Sequence, residues 1–370
     1  MPDSKIGMKA NKQILIHGSI NTTNFGDVLF AELFYNYILK EKLGSPHFLS
    51  TSHLGISNYV RDYISYKNRF SLSMIREVDL IIFMSGGYLG DKNKTLKGSI
   101  VRWVKYCAIY LLARIFHKPI VVCGVGGAPL YHWFNRISFR SLLNYADKVT
   151  VRDDETKTYF ESLGVKNQIT STTDSAIVIT SQTYPYLDVF VQREIQQVLG
   201  TQDIIFIHIP HNLTVVNAFV EQLIPAINLF IQKKTNYGII IGADEQHGIS
   251  EEVINSIVTK HKYVYHYSLP NQLCALLSRV KVVITPKLHV GIISAALGKS
   301  VISFPLHQHK TWRFYKQIGE SDRTVPLSEL TKDIALHQLQ KYHNTPITIS
   351  KDLRDKAEMN FSIIKERLNN

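Results

Sequence analysis

Short apolar runs alternate with amphipathic stretches along the whole chain. Gln13–Ser19 (QILIHGS) reads as a strand buried on both faces. After the loop INTTNFGD, Phe30, Leu33, Phe34, Tyr37 and Ile38 fall at i, i+3, i+4, i+7 and i+8, which is one face of a helix. DLIIFM (Asp79–Met84) and PIVVCGVGG (Pro119–Gly127) read as further strands ending in glycine-rich turns, and KVTVRD (Lys148–Asp153) leads into a helix with an acidic first turn. The second half repeats the scheme with DIIFIHIP (203–210), YGIIIG (237–242), YVYHY (263–267), VKVVITP (280–286) and SVISFP (300–305). Strand–helix alternation of this kind predicts parallel sheets with helices on both faces.

The pattern weakens at Thr180–Asp188 (TSQTYPYLD), which is polar and contains proline, so the linker is placed there. The expected layout is an N-terminal domain over residues 1–183, a C-terminal domain over 184–345 and a closing helix over 346–370 that packs back on the body. Both domains are expected to be Rossmann-like and to face each other across a cleft. At 370 residues the chain is too long for one comfortable core and suits two.

Composition adds limits. Hydrophobic residues make up 45% of the chain and charged residues 19%, ordinary for a protein with real cores. The most apolar region, Cys107–Val122, is broken by Arg114, His117, Lys118 and Pro119, where a spanning helix needs about 20 nearly uncharged residues. The opening MPDSKIGMKANKQ lacks the apolar stretch of a signal peptide, and a cytoplasmic location is expected. Cys107, Cys123 and Cys274 each sit in an apolar run and are expected to be buried free thiols of a reducing compartment. The net charge of +12 favours anionic partners. In linear order the basic residues look spread along the chain, with no block of nucleic-acid type. The charge is read as attraction to an anionic substrate or to the anionic inner face of a membrane, with a merely solubilising surface as the alternative reading.

In open parallel sheets ligands bind outside the carboxyl ends of strands, and the unusual residues gather there. Asn24, Gly26 and Asp27 follow the first strand; Gly86 and Gly87 follow Met84; Gly124, Gly126 and Gly127 follow Cys123. These glycines can serve tight turns or ligand contact, but SGGYLGD and GVGGAP both miss the spacing of a dinucleotide fingerprint. Asp27 can cap the following helix or meet a substrate. Arg152 closes its strand beside Asp153 and Asp154, so an ion pair and an anion site are both open readings. Lys287 and His289 flank Leu288 at a helix start, where a cation opposes the dipole unless an anion lies opposite; a packing histidine is the alternative reading of His289. His307 and His309 form H-x-H, but no carboxylate or cysteine lies nearby in sequence to complete a metal site, and none is expected.

Together NTTNFGDVLF, FMSGGYLGD, VCGVGGAPL, VTVRDDET, TTDSA and TPKLHVGIISAALGKSVISFPLHQHK resemble the polysaccharide pyruvyltransferase family in order and spacing, over roughly residues 13–320. The resemblance implies a GT-B-like fold of two Rossmann-like domains and a metal-independent site in the cleft. It implies transfer of the enolpyruvyl carbons of phosphoenolpyruvate onto two hydroxyls of a sugar, giving a cyclic ketal, with no cofactor beyond that donor. It implies catalytic roles for Arg152, Lys287 and His289. Substrate contacts fall to Asn24, Gly26, Asp27, Gly86, Gly87, Gly126, Asp174 and Lys310. The acceptor would be a sugar or glycan of surface-polysaccharide synthesis, a lipid-linked one included. The family usually has Arg-Leu-His where this chain has Lys287-Leu288-His289, and lysine keeps the charge but not the planar fork. A GT-B glycosyltransferase using a nucleotide sugar, and a non-catalytic anion- or glycan-binding relative, are the competing readings.

Overall fold

The computed structural model describes residues 11–20, 24–48, 72–90, 94–210, 213–243 and 249–369. Asn21–Thr23 of the first loop and Asp91 of the second lie outside them. Two parallel sheets form the frame. The first holds β1 (Gln13–His17), β2 (Ser45–Phe48), β3 (Leu80–Phe83), β4 (Gly86–Leu89), β5 (Ile120–Gly127), β6 (Lys148–Val151) and β7 (Ile169–Ser171). Its order is β2-β1-β3-β5-β6-β7, with β4 also pairing to β5. The second holds β8 (Asp203–Ile209), β9 (Tyr237–Ala243), β10 (Lys262–Val264), β11 (Val282–Thr285) and β12 (Ser300–Ser303), in the order β10-β9-β8-β11-β12. The expected α/β class with two parallel sheets is what the chain adopts.

The glycine clusters correct the expectation drawn from sequence. β5 does not stop at Cys123 but runs on to Gly127, and Gly86–Leu89 is itself a short strand on β5. The register of β5 against β6 shifts between Val122 and Val125, where Gly124 takes φ +60. A side chain at Gly124 would overlap Ser85 and Asn360. This glycine serves the fold: it leaves room for a residue from the far end of the chain.

That residue sits on the C-terminal helix Lys351–Asn369. Asn360 is fully buried and accepts from the Thr150 hydroxyl at 2.7 Å and the Thr172 hydroxyl at 2.8 Å. It donates to the Thr173 carbonyl at 3.0 Å and the Ser175 hydroxyl at 2.9 Å. Beside it, Phe361 stacks on Phe34 with ring centroids 4.6 Å apart. One buried apolar cluster takes in Ile14 and Ile16 of β1, Phe34, Val290 and Ile293 of the second half, and Phe361. Burial of each large apolar side chain is worth about 1.5–3 kcal/mol, so the two sheets share a core rather than meeting at a wet seam. Helix Leu213–Lys233 contains a stretch apolar and long enough to cross a membrane by length and composition, yet Phe219, Leu223, Ile227 and Phe230 bury it in the second sheet's core.

His17 ends β1 inside the molecule, donating from Nε2 to the Lys105 carbonyl at 3.1 Å and packing edge-on to Phe83. Burial, with a smaller push from Lys105, lowers its pKa from 6.5 to about 3. Between those values the folded chain binds fewer protons than the unfolded one, so His17's contribution is whole above pH 6.5 and is lost as pH falls. Urea unfolding from about pH 7.5 to 5 should show wild-type stability falling faster than that of His17→Gln, by up to about 1.4 kcal/mol per unit. Parallel pH slopes would contradict this.

Candidate functional site

Strand order reverses between β1 and β3 in the first sheet and between β8 and β11 in the second. Such switch points open a crevice beyond the strand ends, and a cleft of about 470 Å³ lies there between the two halves. Asn24, Gly26, Asp27, Gly87 and Arg152 line it from the first half, and Lys287, His289 and Lys310 from the second.

Helix Phe25–Lys40 begins at the cleft. Asn24 is its cap: the Asn24 Oδ1 accepts from the backbone N–H groups of Gly26 at 3.0 Å and Asp27 at 3.3 Å. Asp27 therefore does not cap this helix; its carboxylate sits in the first turn and faces the cleft. Gly26 lies directly under the His289 imidazole, and a methyl group at Gly26 would overlap that ring. His289 stands in the first turn of helix Leu288–Ala296, after β11, and Phe30 meets its ring edge-on at 5.0 Å. The bare backbone of one half is thus the seat for the imidazole of the other.

Arg152 closes β6 and is 8% exposed. Its guanidinium lies flat on Gly126, where any side chain would collide with it. Nε stands 3.6 Å from Asp153 and Nη1 3.7 Å from Asp174, both longer than a hydrogen bond. The ion-pair reading of Arg152 is therefore correct as far as it goes, and its donors are held electrostatically rather than consumed. Asp153 is also occupied as the cap of helix Asp154–Ser162, accepting from Thr156 N at 2.7 Å.

Asp174 does not line the cleft; it is buried behind it. One oxygen accepts from Ala176 N at 3.0 Å, and the other lies 3.7 Å from Arg152 and 4.0 Å from His289 Nε2. Gly86 and Gly126 likewise support the lining rather than form it. Burial lowers the His289 pKa, Asp174 and Asp27 pull it back up, and Arg152 and Lys310 push it down. The ring is accordingly neutral at neutral pH, and its Nε2 has no hydrogen-bond partner among the described residues.

Lys287 is the cap residue of the His289 helix, without a side-chain cap bond, its N–H donating to the Thr285 hydroxyl at 3.0 Å. Lys310 comes from helix Gln308–Gln317. A methyl at Gly87 would lie 3.3 Å from Lys310 Nζ and 3.5 Å from Arg152 Nη2. The two cations, one from each half, converge on a glycine with no side chain to fill the space between them.

Arg102 and Lys105 also line the cleft and were missed by the sequence reading. They flank the start of a π-helical segment, Trp103–Cys107, inserted between helices Leu96–Arg102 and Ala108–Ile115. Arg102 Nη1 donates to the Tyr88 carbonyl at 2.9 Å, and the Tyr88 ring stacks on Tyr106 at 4.6 Å. The available signal was two cations three apart in a stretch, Leu96–Ile115, that carries Lys97 and Arg114 as well and no acidic residue. Among the described residues, five Lys or Arg line the cleft against one carboxylate, Asp27. Among the described residues no three His, Cys, Asp or Glu side chains are gathered to hold a metal.

The fold and this basic crevice define a GT-B-like protein of two facing α/β halves. The chain belongs to the polysaccharide pyruvyl transferase family, whose profile matches residues 24–308, and that membership makes it a transferase. No curated protein sequence matches it. Among solved structures, Methanocaldococcus jannaschii UDP-GlcNAc 2-epimerase aligns with TM-score 0.66 and 12% identity, over 97% of this chain and 100% of that one. Staphylococcus aureus MnaA with UDP gives 0.62 and 14%, covering 97% of each chain. Neisseria meningitidis UDP-GlcNAc 2-epimerase bound to UDP-GlcNAc gives 0.60 and 11%, over 97% and 100%. At these identities the likeness is one of fold.

The Gly26–His289 contact has a measurable signature. Gly26→Ala should destabilise the wild type by about 1–3 kcal/mol through overpacking. In a His289→Ala background it should be neutral or stabilising by up to about 1 kcal/mol, because alanine is the better helix former. Equal costs in both backgrounds, read by chemical denaturation, would contradict the contact.

Proposed function

We propose that the protein transfers the enolpyruvyl group of phosphoenolpyruvate onto two hydroxyls of a sugar, releasing phosphate and leaving a pyruvate ketal. The observation that carries this reading is the convergence of Arg152 and Lys310, from opposite halves, on Gly87 beside His289. Phosphoenolpyruvate carries its carboxylate and its phosphate on the same enol carbon, pointing apart, and two separated cations in a half-buried cleft suit it. Lys287, and behind it the His289 helix N-terminus, supplies a third positive site.

The chemistry needs a proton delivered to carbon and protons removed from oxygen. One hydroxyl oxygen bonds to the enol carbon and gives up its proton while the methylene carbon takes a proton and becomes the methyl group. The bond to phosphate oxygen then breaks, its electron pair leaving with phosphate. The second hydroxyl oxygen bonds to the same carbon and gives up its proton. His289, neutral in the free site, gains a proton readily once an anion sits beside it, and it is the proton carrier in this account. Asp27, facing the same cleft, accepts from the acceptor hydroxyls. Asp174 stays out of contact with substrate and orients Arg152 and His289. Side-chain cations supply the positive charge, and the reaction runs without a metal.

The test is incubation with 13C-labelled phosphoenolpyruvate and a panel of sugar acceptors, with EDTA present. The expected result is a ketal carbon signal and one phosphate per ketal. Turnover of UDP- or CMP-sugars instead would assign the cleft to a nucleotide-sugar enzyme. Arg152→Ala and Lys310→Ala should each lower donor use about ten- to a hundredfold, since charge-assisted contacts are worth about 1.5–3 kcal/mol. Lys287→Arg should tighten the donor KM by restoring the planar fork; a fall in activity would mean the lysine is fitted to a different donor.

A further inference from the structure

One face of the N-terminal half is apolar at its centre and basic around it. Exposed apolar side chains stand four apart at Leu96, Ile100 and Val104, and again at Leu111 and Ile115 beyond the buried Cys107. Helix Trp133–Tyr145 runs beside this one, joined to it by the Trp103 indole donating to the Ser138 hydroxyl at 2.8 Å and Asn135 donating to the Ser99 carbonyl at 3.2 Å. Between the two lies an open groove lined by Ile100, Trp103, Trp133, Phe134 and Ile137. Trp133 is 71% exposed and Leu96 56%; among the described aromatics only Tyr186 and Phe190, away from this face, are more exposed than Trp133. Apolar side chains gathered on one surface call for a partner.

The charge around the groove says which. From Lys94 through Ala146 the chain holds eight Lys or Arg and not one Asp or Glu, against +12 for the whole protein. The charge that looks evenly spread in linear order is therefore unbalanced: acidic residues balance it elsewhere and are missing here. Lys94, Lys97, Arg136 and Arg140 are exposed on or beside the two helices. A second copy laid symmetrically on this face would set cations against cations. An anionic bilayer gives the same face both lipid for its tryptophan and isoleucines and negative head groups for its lysines and arginines.

We propose that this face docks on an anionic phospholipid bilayer. The same helix joins the docking face to the cleft: Gly98, Val101 and Arg102 line the cleft, while Leu96 and Ile100 stand on the exposed side. Docked, the protein holds the mouth of the cleft at the lipid surface, where an acceptor sugar on a lipid anchor reaches Asp27 and His289 without leaving the membrane. The identity of the acceptor as lipid-linked rests on the pyruvyl-transfer reading; the docking does not.

Vesicle flotation of the full chain tests this without donor or acceptor. Vesicles of phosphatidylglycerol and phosphatidylcholine should bind at least about tenfold better than phosphatidylcholine alone, and binding should weaken from about 50 to 500 mM salt. Two double variants, Trp133→Ser with Ile137→Ser and Lys94→Glu with Lys97→Glu, should each lower binding at least about tenfold at unchanged Tm and unchanged phosphoenolpyruvate affinity. Wild-type protein that ignores both vesicles, or variants that bind as well as wild type, would overturn the proposal. So would a dimer in sedimentation that the Trp133→Ser, Ile137→Ser variant dissolves, because the face would then belong to a second copy. Binding to vesicles by a protein that fails to turn over phosphoenolpyruvate would leave docking standing and remove only the pyruvyl-transfer reading.

Discussion

The imidazole of His289 lies on the bare backbone of Gly26, and the site depends on that contact between the two halves of the chain. It fixes how closely helix Phe25–Lys40 and helix Leu288–Ala296 approach, and so where Asp27 stands relative to Lys287 and Lys310. Asp174 sets the third corner from behind, within 3.7 Å of Arg152 and 4.0 Å of His289. A shared apolar core and the buried Asn360 network hold the halves together around this point. The relative placement of these side chains thus follows from a packed contact between the two halves.

Electrostatically the cleft holds more positive than negative charge and keeps its histidine neutral. Burial removes the water that would stabilise an imidazolium, and Arg152 and Lys310 add to the cost. An anionic ligand reverses that balance. The same event that fills the site would load His289 with the proton that the chemistry uses. Arg102 and Lys105 continue the row of cations along the stretch that also carries the exposed Leu96 and Ile100.

Much of this was legible in the sequence because parallel strands buried on both faces announce themselves as apolar runs. The β3 segment LIIF and the β8 segment DIIFIHI needed no tertiary context. β2, with Pro46 and His47, and the three-residue β7 lack that signature, and tertiary pairing alone makes them strands. Glycines misled in a specific way. Gly86, Gly126 and Gly127 read as turn formers, yet they lie in strands whose missing side chains make room for Tyr88, Arg152 and Phe160. Arg152, Lys287 and His289 were readable from their places after strands; Arg102 and Lys105 were not, because a π-helical segment in mid-helix carries no sequence rule that aims them into a cleft. Asn24, three residues before Asp27, was the better cap and could have been preferred on spacing.

The central claim is that this cleft is charged for an anion, with His289 as the group that answers its arrival. NMR titration of the His289 ring, assigned by its loss in His289→Ala, measures this directly. The free protein should show an imidazole that titrates below the ordinary value of about 6.5, and saturating phosphoenolpyruvate should raise that midpoint by at least about one unit. A His289 midpoint that is ordinary in the free protein, or unmoved when the donor is bound, would contradict the account.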